Sequence, residues 1–415
     1  MALSIIITIV FFLLILYRYK EGIVISSMTL QLLSYIGTGI PGVKIFFLIS
    51  IWALCLYPFK KDELSIDPYP KWIKWSSFFF LLSFSITLLF SNYMHWPTVV
   101  VNYICYFIFP FIFWKCLDSE YQIGLAMKWL VSVMIVSTIF GFIESVFRNN
   151  IIFNLIQNTI IVEDFSFDDT RVRYGLKRAN SIFSYFSTYG IACFVSLIIF
   201  YSKKYFCQDD NKMLSILILL CAFGAFSTGS RAIFLGLFLA CFLLFFQKHF
   251  FNSQLGRKVL FGSILLSPVL YSIGYQVMDS MINSETSKYA QGSTSDLREY
   301  QWQLCLPYFL ESPIWGNGRM YIWDVVSAEN SGLLGAESIW FSIFVDYGII
   351  GAIAFVFLVF SCCIHLFKLN WRLLCLPIGY LFILTLSPDT GITYNILISF
   401  TIMLLRMYQF NHEFQ

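Results

Sequence analysis

Apolar runs long enough to cross a membrane recur along the whole 415-residue chain. A helix needs about 20 apolar residues to span roughly 30 Å of hydrocarbon, and the hydropathy of the sequence predicts roughly 13 such runs. They lie near 2–17, 22–40, 43–59, 74–93, 98–116, 127–147, 186–202, 213–228, 231–247, 258–275, 347–367, 373–387 and 391–408. We therefore predict an all-α integral membrane protein with about 12–14 transmembrane helices, forming a single polytopic domain over 1–415.

The composition agrees with a chain that lies in lipid. Charged residues make up 12% and hydrophobic residues 58% of the sequence, whereas a globular domain carries about 25% charged residues. The net charge of +3 is too small to indicate a nucleic-acid partner, which requires a strongly basic face. The 11 cysteines contain no C-x-x-C pair and the 4 histidines lack close pairing, so we expect neither a disulfide framework nor a metal site.

Basic residues in the short loops predict the orientation, because Lys and Arg accumulate on the cytoplasmic side. If the spans alternate, most basic residues fall on one side: Arg18, Lys20, Lys60, Lys61, Lys71, Lys74, Lys115, Lys128, Lys203, Lys204, Lys212, Lys248, Arg257, Lys258, Lys368, Arg372 and Arg406. The two long polar segments, 148–185 and 276–337, then lie on the extracytoplasmic side. Both carry arginines that this orientation does not favour, which suggests an anionic ligand there.

Arg231 ends a short turn, Ser227-Thr228-Gly229-Ser230-Arg231, between two apolar runs. The turn is so short that Arg231 must lie at or just inside the membrane boundary. An arginine at that depth is costly unless it is paired or hydrated, so it indicates function. A snorkelling arginine at a helix end is the alternative interpretation.

Two further motifs accompany this turn. Glu337-Ser338 is followed by nine residues and a G-x-x-G sequence at 348–351, and SPIWGNG lies upstream at 312–318. Together with the turn, these motifs resemble the O-antigen polymerase (Wzy-type)/O-antigen ligase family. That family's hallmark is a His followed by Asn, Ser or Gln, nine residues and G-x-x-G at the end of a large periplasmic loop. The resemblance covers about residues 170–355.

The resemblance implies an enzyme, a glycosyltransferase that acts by inversion, with a membrane fold of the glycosyltransferase-C kind and two long periplasmic loops. It implies a multi-pass protein of the bacterial inner membrane. The substrates it implies are undecaprenyl-pyrophosphate-linked oligosaccharides, as donor and as acceptor, and its other partners are membrane lipid and a chain-length regulator protein. No cofactor and no metal are expected, because the pyrophosphate is already an activated leaving group.

Glu337 stands where ligases of the family carry their catalytic histidine. Polymerases vary more at this position, so the acid disfavours a ligase and favours a polymerase. We predict that Glu337 is a base or hydroxyl-orienting acceptor, while Arg231, with Arg173 or Arg178, stabilises the leaving pyrophosphate through its planar fork. An acid favoured near a helix N-terminus by the macrodipole is the alternative for Glu337.

Basic residues in the two long segments are the predicted donor-binding residues. Four Arg or Lys residues crowd 171–178, which resembles the family's donor-binding loop, although a solvated face paired with the acids at 163–169 is the alternative. In the second segment, Asp296 and Glu299 form a predicted capping box around Arg298. The predicted substrate-binding residues are Arg171, Arg173, Lys177, Arg178, Ser230, Arg298 and Arg319.

Two rival functions remain at this point. An O-antigen ligase would use the same donor with the lipid A core as acceptor. A lipid-linked oligosaccharide flippase has a similar length and number of spans, but a transporter is expected to carry charges in the midplane of its helices. Here Glu144 is the only acid well inside a predicted span. Gly348, Gly351 and Ala352 share one helix face, for which close helix packing is the predicted reason.

Overall fold

The structure, a computed structural model, describes residues 2–33, 36–37, 44–90, 100–101, 103–151, 172–173, 176–183, 185–209, 211–245, 275, 295–330, 333, 337–387 and 393–412. Fourteen α-helices and a two-stranded hairpin lie within these ranges. They are α1 Ala2–Tyr17, α2 Tyr19–Met28, α3 Ile45–Lys60, α4 Lys71–Phe90, α5 Phe109–Cys116, α6 Glu120–Phe147, β1 Val172–Arg173, β2 Leu176–Lys177, α7 Phe186–Tyr201, α8 Lys212–Ser227, α9 Arg231–Phe245, α10 Ser295–Glu311, α11 Ser327–Glu329, α12 Ile339–Leu369, α13 Cys375–Thr385 and α14 Thr393–His412.

Four of the described helices are long and apolar enough to cross a membrane. They are α4, α6, α12, and α7 with its π-helical extension, Phe186–Phe206. Shorter apolar helical stretches are Leu3–Tyr17, Ile104–Cys116, Lys212–Ser227, Arg231–Leu244 and Trp371–Thr385. The prediction of an all-α membrane protein is therefore confirmed. The span predicted near 258–275 lies outside the described residues.

Helix α7 lies at the centre of the described helices. Nearly every residue of Phe186–Tyr201 is buried, because the sequence is apolar on all faces and such a helix has no side suited to water. It packs against α8, α9 and α13. Tyr189 fits between α6 and α8, where Cβ atoms at Gly141 and Gly224 would lie 2.7 and 2.6 Å from its hydroxyl oxygen. The chain reaches this central helix directly from the first long segment.

Arg406 on α14 ties three parts of the chain together at the predicted cytoplasmic side. Its side chain is fully buried, and its guanidinium lies 3.7 Å from the centre of the Trp114 ring. Nη1 donates to a carboxylate oxygen of Asp67 at 2.5 Å and to Oε1 of Gln409 at 2.9 Å. The hydrogen bond from Arg406 lowers the pKa of the Asp67 carboxyl. This buried charge is therefore compensated, as burial in a helical bundle requires.

The predicted orientation can be tested at two exposed positions. We expect Ala328→Cys, in the second long segment, to react with a membrane-impermeant thiol reagent on intact cells. Asp62→Cys, in the short turn after α3, should be protected until the cells are lysed. The unsubstituted protein gives the background from its own free thiols, among which Cys55 is exposed. Labelling of residue 62 with protection of residue 328 would reverse the topology.

Candidate active site

Helix α12 is broken at Gly348, which has φ 64° and ψ −162°. The break removes the helical partners of the next backbone N–H groups. Instead, the N–H of Ile349 donates to the carbonyl of Pro313 at 2.9 Å, and that of Ile350 donates to the carbonyl of Ile314 at 3.3 Å. The SPIWGNG motif thus supplies acceptors to the second half of the broken helix.

The same motif also supplies donors to the first half of the helix. The backbone N–H of Asn317 donates to the carbonyl of Val345 at 2.9 Å, and that of Gly318 donates to the carbonyl of Asp346 at 3.1 Å. The Asn317 side-chain amide donates to the carbonyl of Tyr308 at 2.7 Å. Buried backbone groups need such partners. Residues 312–318 therefore hold the two halves of α12 in place; we call this contact the helix-break contact.

Glycine is required on both sides of the helix-break contact. A Cβ at Gly316 would lie 2.3 Å from the carbonyl oxygen of Asp346, and a Cβ at Gly348 would lie 2.5 Å from a carbonyl oxygen of the facing motif. A Cβ at Gly351 would lie 2.1 Å from Cβ of Tyr347. The prediction that Gly348, Gly351 and Ala352 serve helix packing is therefore wrong for Gly348, because a Cβ there would meet the backbone of the 312–318 loop.

The carboxylate of Asp346 fixes the chain beyond this motif. One oxygen accepts from the backbone N–H of Met320 and the other from that of Ile322, both at 2.9 Å. Asp346 is only 3% exposed, so these two bonds replace the water it has lost. They hold the backbone immediately after Arg319.

Arg319 points into the protein. It is 8% exposed, and its guanidinium donates to the hydroxyl of Tyr347 at 2.8 Å and to that of Tyr106 at 3.4 Å. It also lies 5.9 Å from the centre of the Tyr106 ring. The structure therefore places this predicted substrate-binding residue in a buried, tyrosine-lined position between α12 and the π-helical turn Ile104–Ile108.

Glu337 and Arg298 are two predicted site residues of the second long segment, and their charges influence each other. Ser338 is the N-cap, whose hydroxyl accepts from the N–H of Trp340, so Glu337 lies one residue before the cap and is partly exposed. Arg298 donates to the carbonyl of Leu386 at 3.2 Å. Burial lowers the pKa of the Arg298 guanidinium, while the charge of Glu337 raises it. The structure thus places an acid directly before the N-cap of α12, where its charge acts on that of Arg298.

Arg178 from the first long segment lies against the turn that carries Ser230 and Arg231. Its Nε donates to the carbonyl of Thr228 at 3.2 Å, and its guanidinium lies 3.3 Å from the centre of the Phe186 ring. Ser230 and Arg231 are both buried in this turn, and Arg231 begins α9. Three predicted residues therefore form one group, which we call the turn group.

Lys177 directly precedes Arg178 in the chain. It is 2% exposed, and its Nζ lies 3.7 Å from a carboxylate oxygen of Glu144. Arg173 pairs through its backbone with Leu176 in the hairpin, while its side chain lies outside the description. Arg171 also lies outside the described residues. Among those described, no three His, Cys, Asp or Glu side chains are grouped to hold a metal ion.

Sequence reasoning missed the position of Asp346. It lies in the nine-residue spacer of the motif, next to the predicted start of a span at 347, and was assigned no role. The available signal was an acid in the otherwise apolar stretch 339–347. Such an acid needs buried partners. Its partners are the backbone N–H groups of Met320 and Ile322, which residue types in the sequence cannot identify.

Replacement of Gly348 tests the helix-break contact. We expect Gly348→Ala to lower the free energy of unfolding by more than about 2 kcal/mol, because alanine is strained at positive φ and its Cβ meets a carbonyl oxygen. Gly124→Ala on α6 is the matched control, since a Cβ there meets nothing within 4 Å and should gain about 0.5–1 kcal/mol. Thermal unfolding in detergent measures both variants. An unchanged transition for Gly348→Ala would contradict the contact.

Comparison with known proteins agrees with the motifs in the site. No curated protein sequence matches the chain. A family model described as O-Antigen ligase matches residues 216–356, a range that includes Ser230, Arg231, Arg298, Arg319 and Glu337. Residues 216–356 are therefore similar to the O-antigen ligase family, in agreement with the motifs described above.

Proposed function

We propose that the protein is an O-antigen polymerase, a multi-pass enzyme that joins undecaprenyl-pyrophosphate-linked oligosaccharide units at the periplasmic face of the bacterial inner membrane. The observation that carries the proposal is the partly exposed acid Glu337 directly before the N-cap of α12. By the motif resemblance Glu337 stands where the family's ligases carry a histidine, and it lies within residues 216–356, which match the family model.

The reaction needs a proton acceptor at the attacking sugar. The partly exposed carboxylate of Glu337 can accept the proton, or a hydrogen bond, from an acceptor hydroxyl. The hydroxyl oxygen then forms a bond to the anomeric carbon of the donor sugar, while the bond from that carbon to the phosphate oxygen breaks. The proton passes to Glu337, and undecaprenyl pyrophosphate leaves with the bonding electron pair.

The leaving group needs positive charge and directed donors. Arg231 and Arg178 in the turn group supply both, because a guanidinium bonds phosphate oxygens bidentately and stays charged. Fixed donors stabilise a developing anion without reorganising during the reaction. Arg298 adds a cation beside Glu337. This chemistry uses side chains alone, so the proposed transfer is independent of a metal.

A ligase is the second candidate, favoured by the description of the matching family. It would use the same donor and leaving group but attack with a hydroxyl of the lipid A core. A polymerase is favoured because, by the motif resemblance, Glu337 stands where the ligases carry a histidine. The proposed partners of the polymerase are its two lipid-linked substrates, membrane lipid and a chain-length regulator protein.

Glu337→Gln tests the proposed base. The amide keeps the size and polarity of the side chain but cannot accept the proton, so we expect polymerisation to fall by about a hundredfold to ten-thousandfold. The readout is the ladder of chain lengths in cells, at matched membrane abundance. Glu311→Gln, at an exposed acid at the end of α10, is the control and should give a normal ladder. A normal ladder in Glu337→Gln would show that Glu337 is not the base.

Arg231→Lys tests the proposed diphosphate contact. Lysine keeps the charge but loses the bidentate fork, and charge-assisted hydrogen bonds contribute about 1.5–3 kcal/mol. We therefore expect the rate of polymerisation to fall about tenfold to hundredfold while the protein still inserts. Arg18→Lys, at an exposed arginine that the sequence predicts on the cytoplasmic side, should leave the rate unchanged. Wild-type chain lengths in Arg231→Lys would show that the fork at this position is not needed.

A further inference from the structure

We infer that Glu144 on α6 is a positioning residue that holds Arg178 where it binds the diphosphate of the donor. The inference rests on the proposed function, because it assigns a role to a residue of the same site. It is carried by contacts on both sides of Arg178 in the chain. Glu144 itself does not contact the substrate and acts only through Arg178.

One carboxylate oxygen of Glu144 anchors the chain just after Arg178. Oε2 accepts from the backbone N–H of Asn180 at 2.9 Å and from that of Ser181 at 2.7 Å. It also accepts from the side-chain amide of Asn150 at 3.1 Å. Glu144 is 1% exposed, so an ionised carboxylate there depends on these donors. The loop is therefore bound to α6 at this point.

The other oxygen of Glu144 holds the residue just before Arg178. Lys177 Nζ lies 3.7 Å from Oε1, and Nζ also donates to the carbonyl of Arg148 at 3.4 Å. Both members of the ion pair are almost fully buried. The single carboxylate of Glu144 thus binds the chain on either side of Arg178, through Lys177 on one side and through residues 180–181 on the other.

The result is that Arg178 is fixed between α6 and the turn at residues 227–231. Backbone and side chain both contribute, since the N–H of Ala179 donates to the carbonyl of Ser227 at 3.0 Å and Nε of Arg178 donates to that of Thr228. The Phe186 ring fixes the plane of the guanidinium. An arginine that is already ordered loses less conformational entropy when it binds an anion. Without Glu144 these contacts would remain, but the chain on either side of Arg178 would lose its anchor to α6, and Arg178 would be less ordered.

The test is a double-mutant cycle between Glu144→Gln and Arg178→Ala. Membrane vesicles containing the full-length protein are supplied with undecaprenyl-diphosphate-linked repeat units, and KM for the donor is measured separately from kcat. We expect Arg178→Ala to raise KM about tenfold to hundredfold, and Glu144→Gln to raise it about tenfold. In the double variant, KM should equal that of Arg178→Ala, because Glu144 acts through Arg178.

Two further variants keep the test decisive. Glu144→Gln removes the negative charge that faces the buried Lys177, and breaking a buried ion pair destabilises a protein strongly. Glu144→Gln combined with Lys177→Met removes both charges and should show the same rise in KM even if the single variant fails to accumulate. Asp118→Asn, which breaks the Lys20–Asp118 ion pair elsewhere in the protein, is the control and should leave KM unchanged.

Three outcomes would overturn the inference. One is that the effects of Glu144→Gln and Arg178→Ala on KM multiply, which would mean that Glu144 acts independently of Arg178. Another is a normal KM in the charge-free pair variant, and the third is a normal KM in Arg178→Ala. In each of these cases the wild-type protein still elongates chains. A wild-type protein that fails to elongate them would instead contradict the proposed function itself, and the inference with it.

Discussion

The break in α12 is the constraint on which the second long segment depends. Backbone groups without partners cost several kcal/mol each in a membrane, so irregular backbone is tolerated there only where protein surrounds it. Residues 312–318 meet this requirement by donating to the carbonyls before Gly348 and accepting from the N–H groups after it. The same contact brings Arg319 inward, while Glu337 stays partly exposed at the start of the helix.

The described parts of both long segments are held in the same way, by a buried carboxylate that accepts backbone N–H groups. Asp346 accepts from Met320 and Ile322, and Glu144 accepts from two residues of the first segment. In each case an arginine lies close by in the sequence. Burying a carboxylate is costly unless all its lost water contacts are replaced. Asp346 and Glu144 therefore each stabilise the one loop conformation in which their backbone N–H partners reach them.

Hydropathy predicted the class of fold correctly, and most of the described helices overlap the predicted apolar runs. It also placed the start of a span at 347, where the structure has a break inside α12, because hydropathy does not report backbone conformation. The role of Gly348 depends on a loop about thirty residues upstream, so spacing could not reveal it. Arg319 is buried for a similar reason: its partners Tyr106 and Tyr347 come from distant segments. Glu337 was easier to locate, because the N-cap that follows it is a local feature.

The central claim is that this chain elongates a lipid-linked polysaccharide, with Glu337 in place of the ligase histidine. The most direct measurement is the lipopolysaccharide banding pattern of a strain that lacks the gene. We expect the lipopolysaccharide of this strain to be lipid A core carrying a single repeat unit, with longer chains restored when the gene is returned. Bare core with no repeat unit attached, while polymer accumulates on its lipid carrier, would contradict the account and show that the protein is a ligase.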